Sequence, residues 1–372
     1  MGDRKTFRQQ RKRFFLVSIS FRLVLLLAAG ALLLSYLALF VNPVHFPLPA
    51  FFGMFFIPIA AINLFLFLVA LIRRSRSAWI PLVILLPSLL FLDSYVHLGN
   101  KQVNEVTGTQ GLRMMTYNVG QFAVHKDELD RRACQQHILD YIRQEQPDVV
   151  CMQEFYISDT SRLHTILKEY PYRHKHFFRL RSGAWFGNLT VSRYPIVDQG
   201  RISFKGSTNL SIWTDIQLGK EIIRFYNNHL ESFNISFSAI IKNLSRGGSE
   251  IISEEWNQLQ TKMTRSNLRR VEQVDVVLEH IAQSPYPAVV CGDFNDTPMS
   301  YTYRQLSRGR KDTFIEAGEY LAGTYATFWP LLRIDYVLVP ESYYVLHHRT
   351  PRLEWSDHYP VVTDLSVYSS VL

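Results

Sequence analysis

The stretch VVCGDFNDTP, residues 289–298, decides how the chain is read. Val289, Val290 and Cys291 form a short apolar run that fits a buried strand, and it stops at Gly292-Asp293-Phe294-Asn295, where acid and amide side chains take over. Layered α/β folds collect their chemistry at such strand ends. Five more places read the same way: Tyr117-Asn118, Gln153-Glu154, Asn228-His229, Ile334-Asp335 and Ser356-Asp357-His358. Each alone has a structural explanation, because an Asp after a strand caps the next helix and a lone His satisfies a core hydrogen bond. Six in one chain point to a shared site.

Outward from that stretch, apolar runs alternate with helical periodicity. Leu112–Tyr117 and Val149–Gln153 read as buried strands, and Leu129–Gln144 between them carries Leu129, Ala133, Ile138 and Ile142 at helix spacing. Further strands are expected at Trp185–Ser192, Leu210–Leu218, Ile222–Asn228, Ala288–Cys291, Ile334–Val339, Tyr343–His348 and Pro360–Leu365. About nine strands with few helices call for two sheets rather than one. Gly219-Lys220 is short enough to close an antiparallel hairpin. Two packed sheets with helices outside is the layered solution. Residues 233–265 interrupt the rhythm as a helical insertion, read either as a helical cover for a sheet face or as a lid or membrane-facing surface; Ser245-Arg-Gly-Gly-Ser249 should break it.

The charge is uneven. Of the net +8 on 372 residues, all lies in the first 77, which hold ten Lys/Arg against the single acid Asp3; the rest is balanced, 30 basic against 31 acidic. A near-neutral remainder gives no global support to phosphate-backbone binding. Residues 1–98 read as a membrane anchor: no Asp, Glu, Lys or Arg occurs between Leu23 and Ile72, which gives spans at 23–41 and 51–72, and a third at 77–97 carries Pro81, Pro87 and, near its end, Asp93. The first span is too long for a signal-peptide core. Residues 99–111 form a linker, and 112–372 the catalytic domain. Three cysteines make neither a disulfide framework nor a zinc set.

The ordered series MMTYNVG (114–120), VVCMQEF (149–155), NLTVSRYPI (188–196), NNHLES (227–232), VVCGDFNDTP (289–298), LRIDYVLV (332–339) and WSDHYPV (355–361) resembles the endonuclease/exonuclease/phosphatase family, metal-dependent hydrolases similar to DNase I. The resemblance implies an α/β four-layer sandwich of two mixed β-sheets flanked by helices. It implies Mg²⁺, or Mn²⁺, held by Glu154 with Asn118 and Asp357. It makes Asp293 the group that positions or deprotonates the attacking water, Asn295 a holder of a phosphoryl oxygen, Asp335 the partner of His358, which either contacts the phosphate or acts as general acid/base, and His229 a donor to a non-bridging oxygen. Hard oxygen ligands suit such a cation, and an Asp on one ring nitrogen favours the imidazolium. The implied partner is a phosphoester, either nucleic acid or a phospholipid head group, in addition to the bilayer itself. A catalytically silent scaffold would be expected to show broken acids, and Glu154, Asp293 and His358 are intact. Of the lesser motif residues, Asn188 either reaches substrate or is structural, Arg333 either contacts phosphate or pairs with a surface acid, Asp296, Thr297 and Ser300 cap the helix after the catalytic loop, and His347 and His348 are structural.

Orientation follows the positive-inside rule: the basic N-terminus and the Arg73, Arg74, Arg76 loop stay inside, so three crossings put the catalytic domain outside the cytoplasm. Five N-glycosylation patterns, one of them at Asn295, make a bacterial inner membrane with a periplasmic domain the simpler expectation. A C-terminal reporter that works only in the cytoplasm is therefore expected to be silent; a bright one means that one span fails to cross.

Overall fold

Side-chain alternation sets the layers. The computed structural model describes residues 3–97, 109–123, 128–233 and 249–368, in two compact units, Met1–Leu92 and Asp93–Leu372. The strands of the second unit are β1 (Val96–His97), β2 (Thr109–Asn118), β3 (Val149–Ile157), β4 (Tyr172–Arg179), β5 (Trp185–Ser192), β6 (Ile196–Ser203) and β7 (Leu210–Leu218), then β8 (Glu221–His229), β9 (Ala288–Asp293), β10 (Arg310–Asp312), β11 (Tyr320–Leu321), β12 (Asp335–Pro340), β13 (Tyr344–Arg349) and β14 (Val361–Tyr368). They build two six-stranded sheets, ordered β13-β14-β2-β3-β5-β4 and β10-β12-β9-β8-β7-β6, and the small pair β1-β11. Each large sheet has one parallel pair, β2/β3 and β8/β9, and is otherwise antiparallel.

Along each central strand, every second residue enters the same core, as the pleat requires. Leu112, Met114, Val149 and Cys151 of one sheet meet Phe225, Val289, Cys291, Val337 and Val339 of the other in the buried space between them. The intervening residues face outward. Met115, Tyr117, Val150 and Met152 pack with Ile138 and Ile142 of the helix Glu128–Glu145. Tyr226, Val290, Tyr336 and Leu338 pack with Val274 and Val277 of the helix Ser249–Ala282. Helix, sheet, sheet, helix is the expected four-layer order. All nine expected strands form. The five strands not expected are β1, β10 and β11, only two or three residues long, and β4 and β6, edge strands with half-exposed, mixed faces and hence no clean alternation to read. The Gly219-Lys220 hairpin joins β7 to β8 as expected, with Gly219 at φ +63. Within the insertion, 249–282 is one continuous helix; residues 234–248, including most of the expected break, lie outside the described residues.

In the first unit, the span expected over 51–72 is two helices, Leu48–Met54 and Phe56–Ile72, bent by 76° at Phe55. Pro58 explains the break: it has no N–H for the Met54 carbonyl, and its ring crowds that carbonyl. The first helix runs Asp3–Leu37, ending before the expected limit at residue 41, and the third apolar stretch, Arg76–Ser94, ends before β1. Among the described residues, two helical stretches are long and apolar enough to cross a membrane, or three if the bent pair is one span. Polar side chains bond between these helices: Asn63 Nδ2 donates to the Ala28 carbonyl at 2.9 Å and Ser35 Oγ to that of Phe52 at 2.9 Å, while Leu27 and Ile72 point outward, 72% and 82% exposed. That is the inverse of a water-soluble bundle.

One glycine carries a fold constraint. Gly292, at φ +120, passes so close to β8 that an added Cβ would sit 2.1 Å from the Asn228 carbonyl oxygen. Gly292→Ala should lower unfolding free energy by at least about 2 kcal/mol, whereas Gly111→Ala, with nothing within 4 Å of the new methyl, should change it by less than about 1 kcal/mol. Denaturant unfolding in detergent measures both.

Candidate active site

The same alternation that buries the inter-sheet core delivers its polar end. Asn118 continues the inward series Leu112, Met114, Thr116; His229 continues Phe225, Asn227; Asp293 continues Val289, Cys291; and Asp335 opens the series Val337, Val339. All four therefore point between the sheets, at the C-terminal ends of the two parallel pairs or, for Asp335, at the start of the antiparallel neighbour. Register aligns them: Asn118 lies opposite Gln153, His229 opposite Asp293, and Asp335 opposite Asp293. Glu154 follows another rule. The pairing of β3 with β5 slips between Met152 and Phe155, and Glu154 takes φ +54, so a bulge turns its carboxylate out of the strand series.

Asn118 joins the two sheets. Its Nδ2 donates to Asp293 Oδ2 at 3.0 Å and to Glu154 Oε1 at 3.4 Å, and its Oδ1 accepts from Gly120 N at 3.0 Å. Asp293 also accepts from Asn295, from its backbone N at 2.8 Å and its Nδ2 at 3.0 Å. His229 Nε2 stands 3.5 Å from Glu154 Oε1 and 4.0 Å from Asp293 Oδ2. On the other side, His358 Nδ1 donates to Asp335 Oδ2 at 2.9 Å while its Nε2 faces Asp293 Oδ2 at 3.9 Å. Asp357 is exposed, its Oδ1 only 2.7 Å from where a Cβ on Gly120 would be, so glycine leaves room for that carboxylate. Seven of the eight expected site residues thus interlock around Asp293, and Asp357 borders them through Gly120.

Electrostatics divide the cluster. Burial pushes the Asp293 carboxyl up to about 6, with Asp335 adding to the rise and the two imidazoles opposing it. Burial alone would depress His358; the neighbouring Asp335 and Asp293 outweigh it and hold the ring cationic well above its ordinary value. Asp293, Asp335 and His358 each offer a ligand atom, all within 4.8 Å of one another. Because His358 Nδ1 is committed to Asp335, this trio reads as a proton-handling chain, while Glu154, less buried and reached from both sheets, is the carboxylate better disposed for a cation.

Several supporting residues escaped the sequence. Gln121 Nε2 donates to Glu154 Oε2 at 3.4 Å from a left-handed backbone. Ser356 Oγ donates to the Asn118 carbonyl at 2.8 Å. Buried Arg270 donates to the Asn295 carbonyl at 2.7 Å and that of Glu231 at 2.6 Å, bracing the catalytic loop. Beneath the site, Gln153 Nε2 donates to Asn227 Oδ1 at 2.7 Å, and Asn188 donates to the Asn227 and Leu210 carbonyls. Asn188 is therefore a staple between sheets. Arg333 pairs with Asp312, an acid that is buried and not at the surface as expected; of the expected capping residues Ser300 caps its helix through Tyr303 N, while Asp296 accepts from Thr297 N and lies 3.4 Å from buried Arg270. Gln153, Asn227, Glu231 and Ser356 lie inside the quoted motifs, whereas Gln121 and Arg270 left no signal in the sequence.

Residues 115–358 match the model described as the endonuclease/exonuclease/phosphatase family, and residues 11–95 match one described as a domain of unknown function. No curated protein matches the chain. Among solved structures, an endonuclease/exonuclease/phosphatase from Bacteroides vulgatus is similar at a TM-score of 0.51 and 18% identity, over 69% of this chain and 99% of that one. One from Beutenbergia cavernae DSM 12333 is similar at a TM-score of 0.50 and 20% identity, over 70% and 72%. At these identities the likeness is one of fold.

The Asp335–His358 contact yields a pH prediction. His358 is raised above its unfolded value, so its stabilisation is complete below about pH 6.5 and is lost as pH rises through its folded pKa. Asp335→Asn should destabilise the metal-free protein most below about pH 6.5, and the difference from wild type should shrink toward alkaline pH. Denaturant unfolding at pH 6 and pH 9 checks this; an equal gap at both contradicts it.

Proposed function

Since this chain belongs to the endonuclease/exonuclease/phosphatase family, with the DNase I-like fold and phosphoester-hydrolase activity of that family, we propose that it is a membrane-anchored, Mg²⁺-dependent member that drives water onto phosphorus. The observation that carries this reading is the Asn118 amide, which bonds Glu154 and Asp293, carboxylates from opposite sheets, within one polar pocket.

The donor set fits a hard divalent cation: Glu154 and Asp357 present oxygen, no cysteine lies among them, and Glu154 is turned by the bulge that also keeps Phe155 and Ile157 in the outer core with Val150 and Met152. Glu154, with Asp357 and with Asn118 orienting, would hold Mg²⁺ or Mn²⁺, which when bound neutralises phosphoryl oxygens and supports the leaving oxygen. The remaining steps belong to the chain. Asp293, its carboxyl raised to about 6 by burial, accepts a proton from the attacking water at neutral pH. Asn118 and Asn295 fix the orientation of that carboxylate, and the Asn295 amide borders the phosphoryl oxygen. His229 donates to a non-bridging oxygen as charge develops. His358, kept cationic by Asp335, contacts the phosphate from the opposite side through Nε2.

The anchoring part of the proposal is supported by the outward apolar surface of residues 19–94 and the two or three helices able to cross a membrane. The positive-inside bias supports an inner-membrane position with the hydrolase outside the cytoplasm.

The test is hydrolysis by the purified full-length protein of a panel of nucleic acids, phospholipids and soluble phosphoesters. Turnover should require Mg²⁺, stop with EDTA, and fall more than about 100-fold in Glu154→Ala with the fold retained. Near-normal activity in Asp293→Ala would refute the assignment.

A further inference from the structure

The last apolar stretch of the anchor ends at Ser94 and β1 begins at Val96. Only Tyr95 lies between them, so β1 is the first element after the last apolar stretch. β1 joins the wall of the active site. Val96 and His97 pair with Leu321 and Tyr320, Ala322 N donates to the Tyr95 carbonyl at 3.0 Å, and buried Arg333 donates to the Ser94 carbonyl at 3.2 Å while paired with Asp312. These contacts all lie within the second unit.

The segment opened by this seam is YLAGTYATFWPLL, Tyr320–Leu332, 13 residues without a charge. Its middle folds against the reacting groups. Tyr325 bridges to His358 with the rings 5.2 Å apart, Ala326 N donates to the Asp357 carbonyl at 2.8 Å, and Thr324 Oγ1 accepts from Asp335 N at 3.1 Å. Its ends turn outward: Tyr320 is 77% exposed, Leu321 38% and Leu331 37%, with Trp329 between them and the Arg352 guanidinium 4.3 Å over the Trp329 ring. Exposed leucines mixed with Tyr and Trp, with a cation at the edge, is the composition of a membrane–water interface.

We infer that Tyr320–Leu332 is an interfacial loop whose exposed side chains enter the bilayer surface, and that the phosphoester cleaved beside it is carried on a membrane lipid. The inference rests on the membrane-anchored hydrolase reading above and adds to it the substrate class and the surface that selects it. A loop held at the surface by β1 brings His358 and Asp357 to head-group depth, where tethering makes the local concentration of lipid phosphoester high. A soluble nucleic acid gains nothing from such a wall.

The full-length protein in vesicles of phosphatidylcholine and phosphatidylglycerol with Mg²⁺ carries the test. Cys134, Cys151 and Cys291 are buried, so Leu331→Cys offers an accessible thiol for an environment-sensitive fluorophore. Its emission should be quenched by doxyl lipids in the vesicle. The double variant Tyr320→Glu, Leu331→Glu should hydrolyse vesicle phospholipid at least about tenfold more slowly, yet stay within about twofold of wild type on soluble bis(p-nitrophenyl) phosphate. An unquenched label overturns the inference, and so does wild-type protein that cleaves oligonucleotides or the soluble diester but no vesicle lipid, a result that leaves the hydrolase reading standing. Turnover of nothing on the panel overturns both.

Discussion

The carboxylate of Asp293 is the group on which the rest of the site depends. It is buried at the seam of two sheets, accepts from Asn118 of one and Asn295 of the other, and faces an imidazole on either side. A buried carboxylate without such donors would be neutral and inert; one with only cationic neighbours would be too weak a base. Burial and Asp335 raise it, His358 and His229 lower it, and the balance of about 6 leaves a carboxylate ionised at neutral pH and still able to take a proton. The Gln153–Asn227–Asn188 network bonds the two sheets to each other, and the glycine at 292 lets β8 and β9 approach.

Much of this was legible because alternation is a local property. Once Val289 and Cys291 are assigned to the inward face, Asp293 must share it, and the same parity carries Asn118, His229 and Asp335 into one space. The two-sheet, four-layer fold could be read for the same reason, through runs such as Val149–Gln153. What lay hidden depended on distant neighbours. The edge strands β4 and β6 are defined by their partners rather than by their own pattern. The bulge at Glu154, the Arg270 brace and the left-handed Gln121 are outcomes of tertiary packing, and the sequence holds no local signal for them. The bend at Phe55 could have been read, since Pro58 sits four residues after Met54.

The two units sort their side chains differently. Its first unit turns leucines outward and pairs its few polar side chains inward, while its second buries apolar residues between and outside the sheets. β1 marks the change, and the strand it pairs with leads directly into the loop that carries Tyr325 against His358. Arg333, two residues before Asp335, pairs with Asp312 and donates to the Ser94 carbonyl within the second unit.

The central claim is that the Asp293 cluster directs water at phosphorus. Hydrolysis of a phosphoester by the metal-loaded protein in ¹⁸O-water, read by mass spectrometry, tests it most directly. The account predicts one ¹⁸O in the phosphoryl product and none in the released alcohol; label in the alcohol, or in neither product, would contradict it.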